Sequence, residues 1–227
     1  MASREVAAHA PLRRRGAGFP LKIVVFGATG SVGRLIVEQA LEQGHIVTAF
    51  VRDPAKLGIE QTNLRIVQGD ALDPAAVEAA VRGQDAVVCA LGAGAKGGIR
   101  AEGTRNIVRA MDKAGVRRLV CQSSLGVGES RENLNFFWKH IMFGLLLRRA
   151  YADHVSQENQ VMRSGLDWTI VRPGAFTDGP RTGRYRHGFS ATDKAITHKV
   201  SRADVAEFML KQLSDASYLR KTPALSY

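Results

Sequence analysis

Short runs of apolar, mainly β-branched residues alternate with longer amphipathic stretches from Leu21 onward. The apolar runs predict strands, and they cover residues 21–26, 46–51, 64–67, 86–90, 118–122 and 167–171. The stretches between them predict helices over 31–43 and from about 74, 99 and 202 onward. Continuous rather than alternating apolar runs are typical of parallel strands covered on both faces. The pattern therefore predicts an α/β fold, a Rossmann-like doubly wound parallel sheet with helices on both faces.

Local signals mark where several helices begin and end. Gly44 follows the first helix and is typical of the glycine that ends a helix. The pair Asp73-Pro74 combines a capping acceptor with proline at the first helical position. Ser201 is expected to cap the last helix, with Asp204 at the reciprocal capping position. Residues 174–200 lack this regularity and predict loops, with a hairpin as one option.

The chain has 227 residues, which suits one α/β domain, and no repeat or domain-sized linker divides it. Apolar residues make up 45% and charged residues 23%, as in a globular domain. We expect residues 21–227 to form a single domain whose C-terminal loops lie on the substrate side. Residues 1–20 contain the run Arg13-Arg14-Arg15 and no apolar stretch, which excludes a secretory signal. They predict a flexible basic tail, and an organelle-targeting peptide stays open as the alternative.

The formal net charge of +11 favours anionic partners. Nucleic acid, acidic lipid and a polyphosphate cofactor all satisfy this condition, so charge alone does not choose among them. The two cysteines, Cys89 and Cys121, lie in apolar runs and predict buried strand thiols rather than a disulfide framework or a metal site. Such thiols are typical of a reducing compartment, and we expect a cytoplasmic protein.

A glycine-rich turn links the first strand to the first helix. Its residues are Gly27, Ala28, Thr29, Gly30, Ser31, Val32 and Gly33. Small residues let the backbone approach a ligand closely, and a helix N-terminus attracts phosphate. Because the turn stands between a strand and a helix, we interpret it as a dinucleotide pyrophosphate site rather than a purely structural turn.

The end of the second strand predicts which dinucleotide binds. A carboxylate there is typical of NAD sites, but this chain has Arg52, followed by Lys56. Arg52 can pair with a 2′-phosphate in a bidentate manner, and Lys56 can add a second positive charge, so we expect NADPH (NADP) as the cofactor. The alternative is an ordinary surface arginine beside a capping Asp53.

Further cofactor contacts are expected where the third and fourth strands end, at the edge of the sheet where ligands collect. These positions are Asp70, Ala71, Ala90, Leu91 and Gly92. Asp70 is placed to accept a hydrogen bond from the adenine amino group, although a capping role for its carboxylate is a close alternative.

Several motifs occur in a recognisable order: Gly27-x-x-Gly30-x-x-Gly33, Val51-Arg52-Asp53, Gly69-Asp70, Gln122-Ser123-Ser124 and the stretch from Ser164 to Gly174. With these motifs the chain, from about Leu21 to Tyr227, resembles the atypical short-chain dehydrogenases/reductases. More narrowly, it is similar to their NAD(P)H-binding group, which includes the biliverdin reductase B (flavin reductase)-like and NmrA-like proteins.

The resemblance implies an oxidoreductase that binds NADPH with the nicotinamide at the C-terminal edge of the sheet. It implies that Ser124 is the active-site serine and that Ser123 contributes to the cofactor site. It also places four residues beside the nicotinamide: Pro173, Gly174, Ala175 and Phe176. The family member that reduces biliverdin has a histidine near the ring where this chain has Ala175, which disfavours tetrapyrrole chemistry.

The chain lacks the Tyr-x-x-x-Lys pair with which short-chain dehydrogenases protonate a carbonyl; Tyr151, for example, is followed at that spacing by Val155. Flavins and quinones need no such acid, because their reduced forms spread charge over a conjugated ring system. We therefore expect an NADPH-dependent reductase of a flavin, quinone or similar conjugated acceptor. A non-catalytic NADP(H)-binding sensor or scaffold of the NmrA-like type is the alternative.

Two side chains are candidates for the catalytic step. Ser124 is placed to polarise an acceptor oxygen, with closure of a strand end as the equally weighted alternative. His154 is a candidate proton donor at neutral pH. For Asp153, His154, Glu158 and Asn159 together, a solvated helix face is the favoured interpretation.

The segment 136–149 is apolar and basic but too short and too interrupted to span a bilayer. It predicts a helix that caps the acceptor pocket or contacts a protein partner, with peripheral membrane attachment as the alternative. Nucleic acid is not an expected partner, because no base-binding motif accompanies the basic residues of the C-terminal part. Those residues are Arg181, Arg184, Arg186, Lys194, Lys199 and Arg202. The sequence indicates no oligomeric state.

Overall fold

The computed structural model describes residues 19–94 and 97–227, and its main feature is an eight-stranded sheet. Along the sheet the strands are β3 (Leu64–Gln68), β2 (Ile46–Val51), β1 (Lys22–Phe26), β4 (Ala86–Cys89), β5 (Arg118–Gln122), β6 (Asp167–Pro173), β10 (Ala224–Ser226) and β8 (Arg186–His187). All neighbours in this order are parallel except β10 and β8. The chain reverses its direction of winding between β1 and β4, which opens a crevice at the C-terminal ends of these strands.

Helices cover both faces of the sheet. The helices are α1 (Gly33–Glu42), α2 (Pro74–Val81), α3 (Ile99–Ala114), α4 (Arg148–Met162) and α5 (Arg202–Lys211). α1 and α5 contact each other and share one apolar core with the sheet. α2, α3 and α4 pack in sequence on the opposite face around a second core. The predicted doubly wound fold is therefore confirmed.

Several helix ends follow the predicted chemistry. Gly44 has a φ of 79° and donates to the carbonyl of Leu41, while His45 donates to that of Ala40, so α1 ends in a Schellman motif. The carboxylate of Asp73 accepts from the first-turn amides of α2. α1 itself begins at Gly33, two residues later than predicted, because the turn before it occupies Ser31 and Val32.

The predicted reciprocal cap of α5 is only half correct. Ser201 accepts from the amide of Asp204, as a cap residue does. The Asp204 carboxylate does not return to the Ser201 amide, which instead donates to the hydroxyl of Tyr227. Asp204 accepts from Thr182, Gly183 and Tyr227 and thereby fixes the loop before α5.

The hairpin considered for 174–200 is wrong. This region contains β7 (Ala175–Thr177) and β9 (Lys199–Ser201), which pair in parallel, and β8, which joins the large sheet antiparallel to β10. The named elements of the described residues also include two short 3-10 turns, Pro54–Lys56 and Gly128–Asn133, and the segment before α4. That segment, Phe137–Leu146, is a π-type helix, which we call the wide helix.

Both cysteines are buried free thiols in neighbouring strands, as predicted. The predicted tail over 1–20 lies almost entirely outside the described residues and stays a prediction. Within the two described ranges, no helix combines the length and the apolar character needed to cross a membrane.

Candidate functional site

Close packing of backbone against backbone explains the spacing of the three glycines. A Cβ on Gly27, whose φ is 83°, would lie 2.4 Å from the carbonyl oxygen of Ala90. A Cβ on Gly33 would lie 2.0 Å from the carbonyl oxygen of Gly27. Gly30 is exposed and donates to that same oxygen, which closes the turn. Side chains at 27 and 33 would therefore force the turn away from the sheet edge, and only glycine fits.

The N-terminus of α1 is open to an anion. Its capping position is occupied by Val32, which has no side-chain acceptor, and its first turn contains no acidic residue. By contrast, side-chain acceptors satisfy the first amides of α2 and α5. Unsatisfied amides and the positive end of the helix dipole attract phosphate, so the observed turn fits a dinucleotide pyrophosphate.

A cavity of about 460 Å³ lies beside this turn, and we call it the glycine cleft. Eleven predicted cofactor residues line it: Gly27, Thr29, Gly30, Ser31, Val32, Arg52, Ala71, Ala90, Leu91, Gly92 and Phe176. They come from the turns after β1, β2, β3 and β4 and from the region after β6, which the parallel sheet brings to one edge. The cleft therefore has the location and the lining expected of a dinucleotide site.

Three predicted cofactor residues line neither the cleft nor the cavity that adjoins it. Gly33 is buried behind the turn and acts through packing. Lys56 lies 3.4 Å from the carboxylate of Asp53, and Asp70 accepts from the amide of Leu72 as a local turn residue. This bond closes a local turn, while Asp73 caps the helix that follows, and the adenine contact of Asp70 stays a prediction.

A second cavity of about 270 Å³ adjoins the first, and we call it the apolar pocket. Its lining includes the predicted residues Ser123, Ser124, His154, Pro173, Gly174, Ala175 and Phe176. Most of the rest is apolar and comes from Leu125, Leu134, Trp138, Met142, Phe143 and Leu147. Several of these belong to the wide helix, so the predicted cap over a pocket is what the structure shows.

The cleft and the pocket share three lining residues, Arg100, Gln122 and Phe176. The first two were not predicted as site residues. Gln122 ends β5, and the rule that ligands collect at the C-terminal ends of strands was a signal for it. Arg100 lies in the first turn of α3, where a charged residue normally faces solvent, and no local pattern marks it.

Comparison with known proteins places this geometry in a family. A family model described as NAD(P)H-binding matches residues 27–216. The chain belongs to the NAD(P)H-binding family. This confirms the resemblance to the atypical short-chain dehydrogenases/reductases.

Relatives in this family have varied names. UPF0659 protein YMR090W of Saccharomyces cerevisiae is 31% identical over 209 residues, which span 86% of this chain and 87% of that protein. Photosystem II assembly factor Ycf39 of Synechocystis is 35% identical over 215 residues, spanning 89% of this chain and 61% of that protein.

Solved structures share the fold. ChuY, an anaerobillin reductase from Escherichia coli O157:H7, superposes with a TM-score of 0.72 at 27% identity, covering 90% of this chain and 96% of that one. A short-chain dehydrogenase/reductase from Veillonella parvula in complex with NADP has a TM-score of 0.75 at 19% identity, with coverage of 92% and 95%. At that identity the second likeness shows the fold alone.

Within this family site, the candidate proton donor is buried. His154 lies on the face of α4 that packs inward, together with Asp153 and Glu158, so the interpretation of a solvated face is wrong for these three; only Asn159 is exposed. Burial, assisted by the Arg100 cation, lowers the pKa of His154 to about 4, against smaller opposing effects of Gln157 and Asp153. His154 is therefore expected to be neutral at pH 7, which disfavours an imidazolium donor, and its catalytic role stays a prediction.

The two serines differ in their hydrogen bonding. The Ser124 hydroxyl donates to the carbonyl of Leu125 at 3.2 Å, which leaves its oxygen able to accept from a ligand in the apolar pocket. The Ser123 hydroxyl is buried and has no partner among the described residues, while its amide donates to Val171. Strand closure thus uses the backbone of Ser123, and both hydroxyls stay candidates for a ligand.

Replacing His154 by glutamine should make the fold less sensitive to acid. The folded-state pKa near 4 is below the unfolded value of about 6.5, so the unfolded chain takes up a proton first as the pH falls. The wild type should therefore lose up to about 3 kcal/mol of unfolding free energy between pH 6.5 and 4 that His154→Gln does not lose. Urea titrations of both proteins across this range measure the difference. Parallel pH profiles would contradict the burial of a neutral imidazole.

Proposed function

We propose that this protein is an NADPH-dependent reductase that transfers hydride to a flavin, a quinone or a similar conjugated acceptor. The observation that carries the proposal is the direct junction of the glycine cleft with the apolar pocket through Phe176 and Gln122. NADPH, when bound, supplies the hydride. An acceptor in the apolar pocket would then lie next to the reacting end of the cofactor, which is the main requirement for such a transfer.

The residues of the pocket favour a flat, conjugated acceptor. Its walls are aromatic and aliphatic side chains, including Trp138 and Phe143, whose ring centroids are 6.1 Å apart. Tyr151, in the next helix, packs against Phe143 and has no lysine partner at the spacing of a carbonyl reductase. With His154 neutral, the pocket offers no strong acid, and an acceptor that stabilises its own charge fits this chemistry better than a ketone.

The relatives support a redox role at the level of the family. ChuY is a reductase, and its chain and this one superpose over nearly their full lengths. The names of other relatives, such as an assembly factor, keep a non-catalytic NADP(H)-binding sensor or scaffold as the second candidate. The cytoplasmic location stays a prediction.

An acceptor panel distinguishes the two candidates. Purified protein would first be titrated with NADPH and NADH. It would then be offered FMN, FAD, several quinones and biliverdin, and NADPH oxidation would be followed by the loss of its absorbance. Turnover with at least one flavin or quinone supports the reductase. Tight NADPH binding with no oxidation across the panel overturns it in favour of the sensor or scaffold.

Replacing Arg52 by alanine should remove the preference for NADPH over NADH. Arg52 borders the glycine cleft at the end of β2 and forms no ion pair among the described residues, so its guanidinium is available to a 2′-phosphate. Loss of this charge-assisted contact should weaken NADPH binding by at least about tenfold and leave NADH binding nearly unchanged. Dissociation constants from fluorescence titration measure both. Arg82→Ala is the matched control, because Arg82 is exposed and lies outside the cleft. Equal preference in wild type and Arg52→Ala would contradict the assignment.

A further inference from the structure

Arg100 is a buried cation at the junction of the glycine cleft and the apolar pocket. It is the second residue of α3, it borders both cavities, and only 9% of its surface is exposed. Burying a guanidinium is costly unless carboxylates or acceptors surround it. The partners of this side chain are therefore informative about what the site is built to bind.

Asp153 is the carboxylate nearest to Arg100, and it is largely committed to the backbone. Its Oδ1 accepts from the amide of Ala101 at 3.0 Å, and its Oδ2 accepts from the amide of Arg100 at 3.1 Å. It thus caps α3 from the neighbouring helix α4. The guanidinium itself reaches Oδ2 only through Nη1 at 3.5 Å, which is a weak contact.

The rest of the guanidinium is poorly satisfied. Its Nε is enclosed and has no hydrogen-bond partner among residues 19–94 and 97–227. The other titratable groups close to it are His154, which carries no negative charge, and the buried thiol of Cys89, whose pKa is lowered by its hydrogen bond with Cys121 and also by the guanidinium. A planar fork of donors beside an apolar pocket, with one weak ion pair, has the chemistry of a carboxylate or phosphate receptor.

We propose that Arg100 binds an anionic group on the acceptor, so that the natural substrate is a conjugated molecule with a carboxylate or phosphate substituent. This inference rests on the proposed reductase function. The cofactor's own phosphates are assigned to other groups, the open N-terminus of α1 and Arg52. The apolar walls take the ring system of the acceptor, and Arg100 sets its orientation through the anionic substituent.

The test compares a carboxylated naphthoquinone with its neutral methyl ester, by calorimetric titration into NADP-loaded protein. In Arg100→Met the carboxylate should bind at least about tenfold more weakly than to wild type, while the ester should change less than twofold. Arg100→Lys should restore part of the affinity for the carboxylate. Arg105→Met is the matched control, because Arg105 lies on the same helix, is half-exposed and pairs with Glu102.

The outcomes separate the two proposals. Equal losses for the carboxylate and the ester, or no loss for either, overturn the role of Arg100. A parallel rise in the dissociation constant of NADPH assigns Arg100 to the cofactor instead and also overturns it. Because binding is measured without turnover, the result holds even if the acceptor panel shows no reduction, and the failure of one proposal does not imply that of the other.

The outer face of the wide helix and its flanks form an exposed apolar surface. This face exposes large apolar side chains: Phe136, Phe137, Ile141, Leu145 and Leu146. Phe136 and Leu145 are 72% and 71% exposed. The exposed polar residues beside them include His140, Arg148 and Arg149, and no acidic residue occurs from 133 to 152. Apolar residues flanked by basic ones are typical of a segment that lies in a membrane interface.

We propose that this outer face binds an anionic lipid bilayer. The charge complementarity favours lipid over a second copy of this basic chain, since Arg148 and Arg149 on two copies would repel. The inner face of the same helix lines the apolar pocket, so attachment would place the pocket next to lipid-soluble acceptors.

Vesicle flotation tests this proposal with phosphatidylcholine vesicles that contain or lack phosphatidylglycerol. Wild type should float with the anionic vesicles, and Phe136→Ser/Leu145→Ser should lose most of this binding. The double variant has the same net charge as wild type. Any electrostatic attraction of the basic residues 1–20 to the anionic vesicles is therefore the same in both proteins. Phe19→Ser/Leu72→Ser, which removes exposed apolar side chains elsewhere, is the control and should float like wild type. Equal flotation of wild type and the double variant overturns the proposal. It is also overturned if wild type is a dimer and the double variant a monomer, because the face then contacts a second copy of the chain.

Discussion

Replacing Gly33 by alanine should abolish dinucleotide binding and destabilise the fold. The added Cβ would lie 2.0 Å from the carbonyl oxygen of Gly27 and 2.8 Å from its carbonyl carbon. Both contacts are with backbone, so no side chain can move aside, and α1 has to shift away from the turn. We expect a loss of about 3 kcal/mol in unfolding free energy, at the upper end for an overpacked site. The shift also displaces the helix N-terminus from the phosphate position, which should weaken NADPH binding by at least about tenfold.

Urea unfolding and NADPH titration measure the two effects of Gly33→Ala. Gly165→Ala is the matched control, because Gly165 is exposed, its φ is not positive and a Cβ added to it would have no neighbour within 4 Å. That variant should match wild type in both assays. Normal NADPH affinity in Gly33→Ala would contradict the close approach of α1 to the glycine turn.

Replacing Glu158 by alanine should destabilise the protein by about 3–5 kcal/mol, because it leaves a buried arginine without its main partner. Arg172 and Glu158 are both 2% exposed, and they form a bidentate pair of 2.9 Å and 2.7 Å. Glu129 also lies 2.7 Å from Nη1 of Arg172, but it is largely exposed and cannot replace the buried carboxylate. The pair joins α4 to the end of β6, directly before the pocket residue Pro173.

A double replacement separates the charge from the packing in this pair. Glu158→Leu/Arg172→Met removes both charges and keeps similar volumes, so it should recover most of the stability lost in Glu158→Ala. Urea midpoints and slopes of the three proteins provide the comparison. A surface ion pair contributes about 1 kcal/mol or less. If the unfolding free energy of Glu158→Ala lies within that range of wild type, the pair is not desolvated in the way proposed.

The sheet and the glycine turn were predictable because their signals are local. Each of the first five strands lies within a residue or so of its predicted bounds. Four of them, β1, β2, β4 and β5, are largely buried apolar runs, as expected of parallel strands covered on both faces, whereas the edge strand β3 has no buried residue. The spacing of Gly27, Gly30 and Gly33 likewise follows from a backbone contact between the turn after β1 and the start of α1, which are adjacent in sequence. These features predicted the cleft and ten of its lining residues, and the family resemblance added Phe176.

Features that depend on distant contacts were not predictable. Asp204 has the spacing of a capping residue, but Thr182 and Tyr227 compete for its carboxylate, and only the tertiary fold brings them close. His154 has the sequence surroundings of an exposed face and is buried because α3 packs on α4. Arg100 takes its place between the two cavities for the same reason, so the sequence contains no signal for it.

The most direct test of the account is a single-turnover experiment with NADPH deuterated at one or the other C4 position. Stoichiometric enzyme, labelled NADPH and a quinone or flavin would be mixed anaerobically, and cofactor oxidation followed by stopped flow. Since the apolar pocket adjoins one end of the glycine cleft, one face of the nicotinamide should meet the acceptor, and only one of the two labels should slow the reaction. Bound NADPH that is oxidised by no flavin or quinone would contradict the proposed reductase.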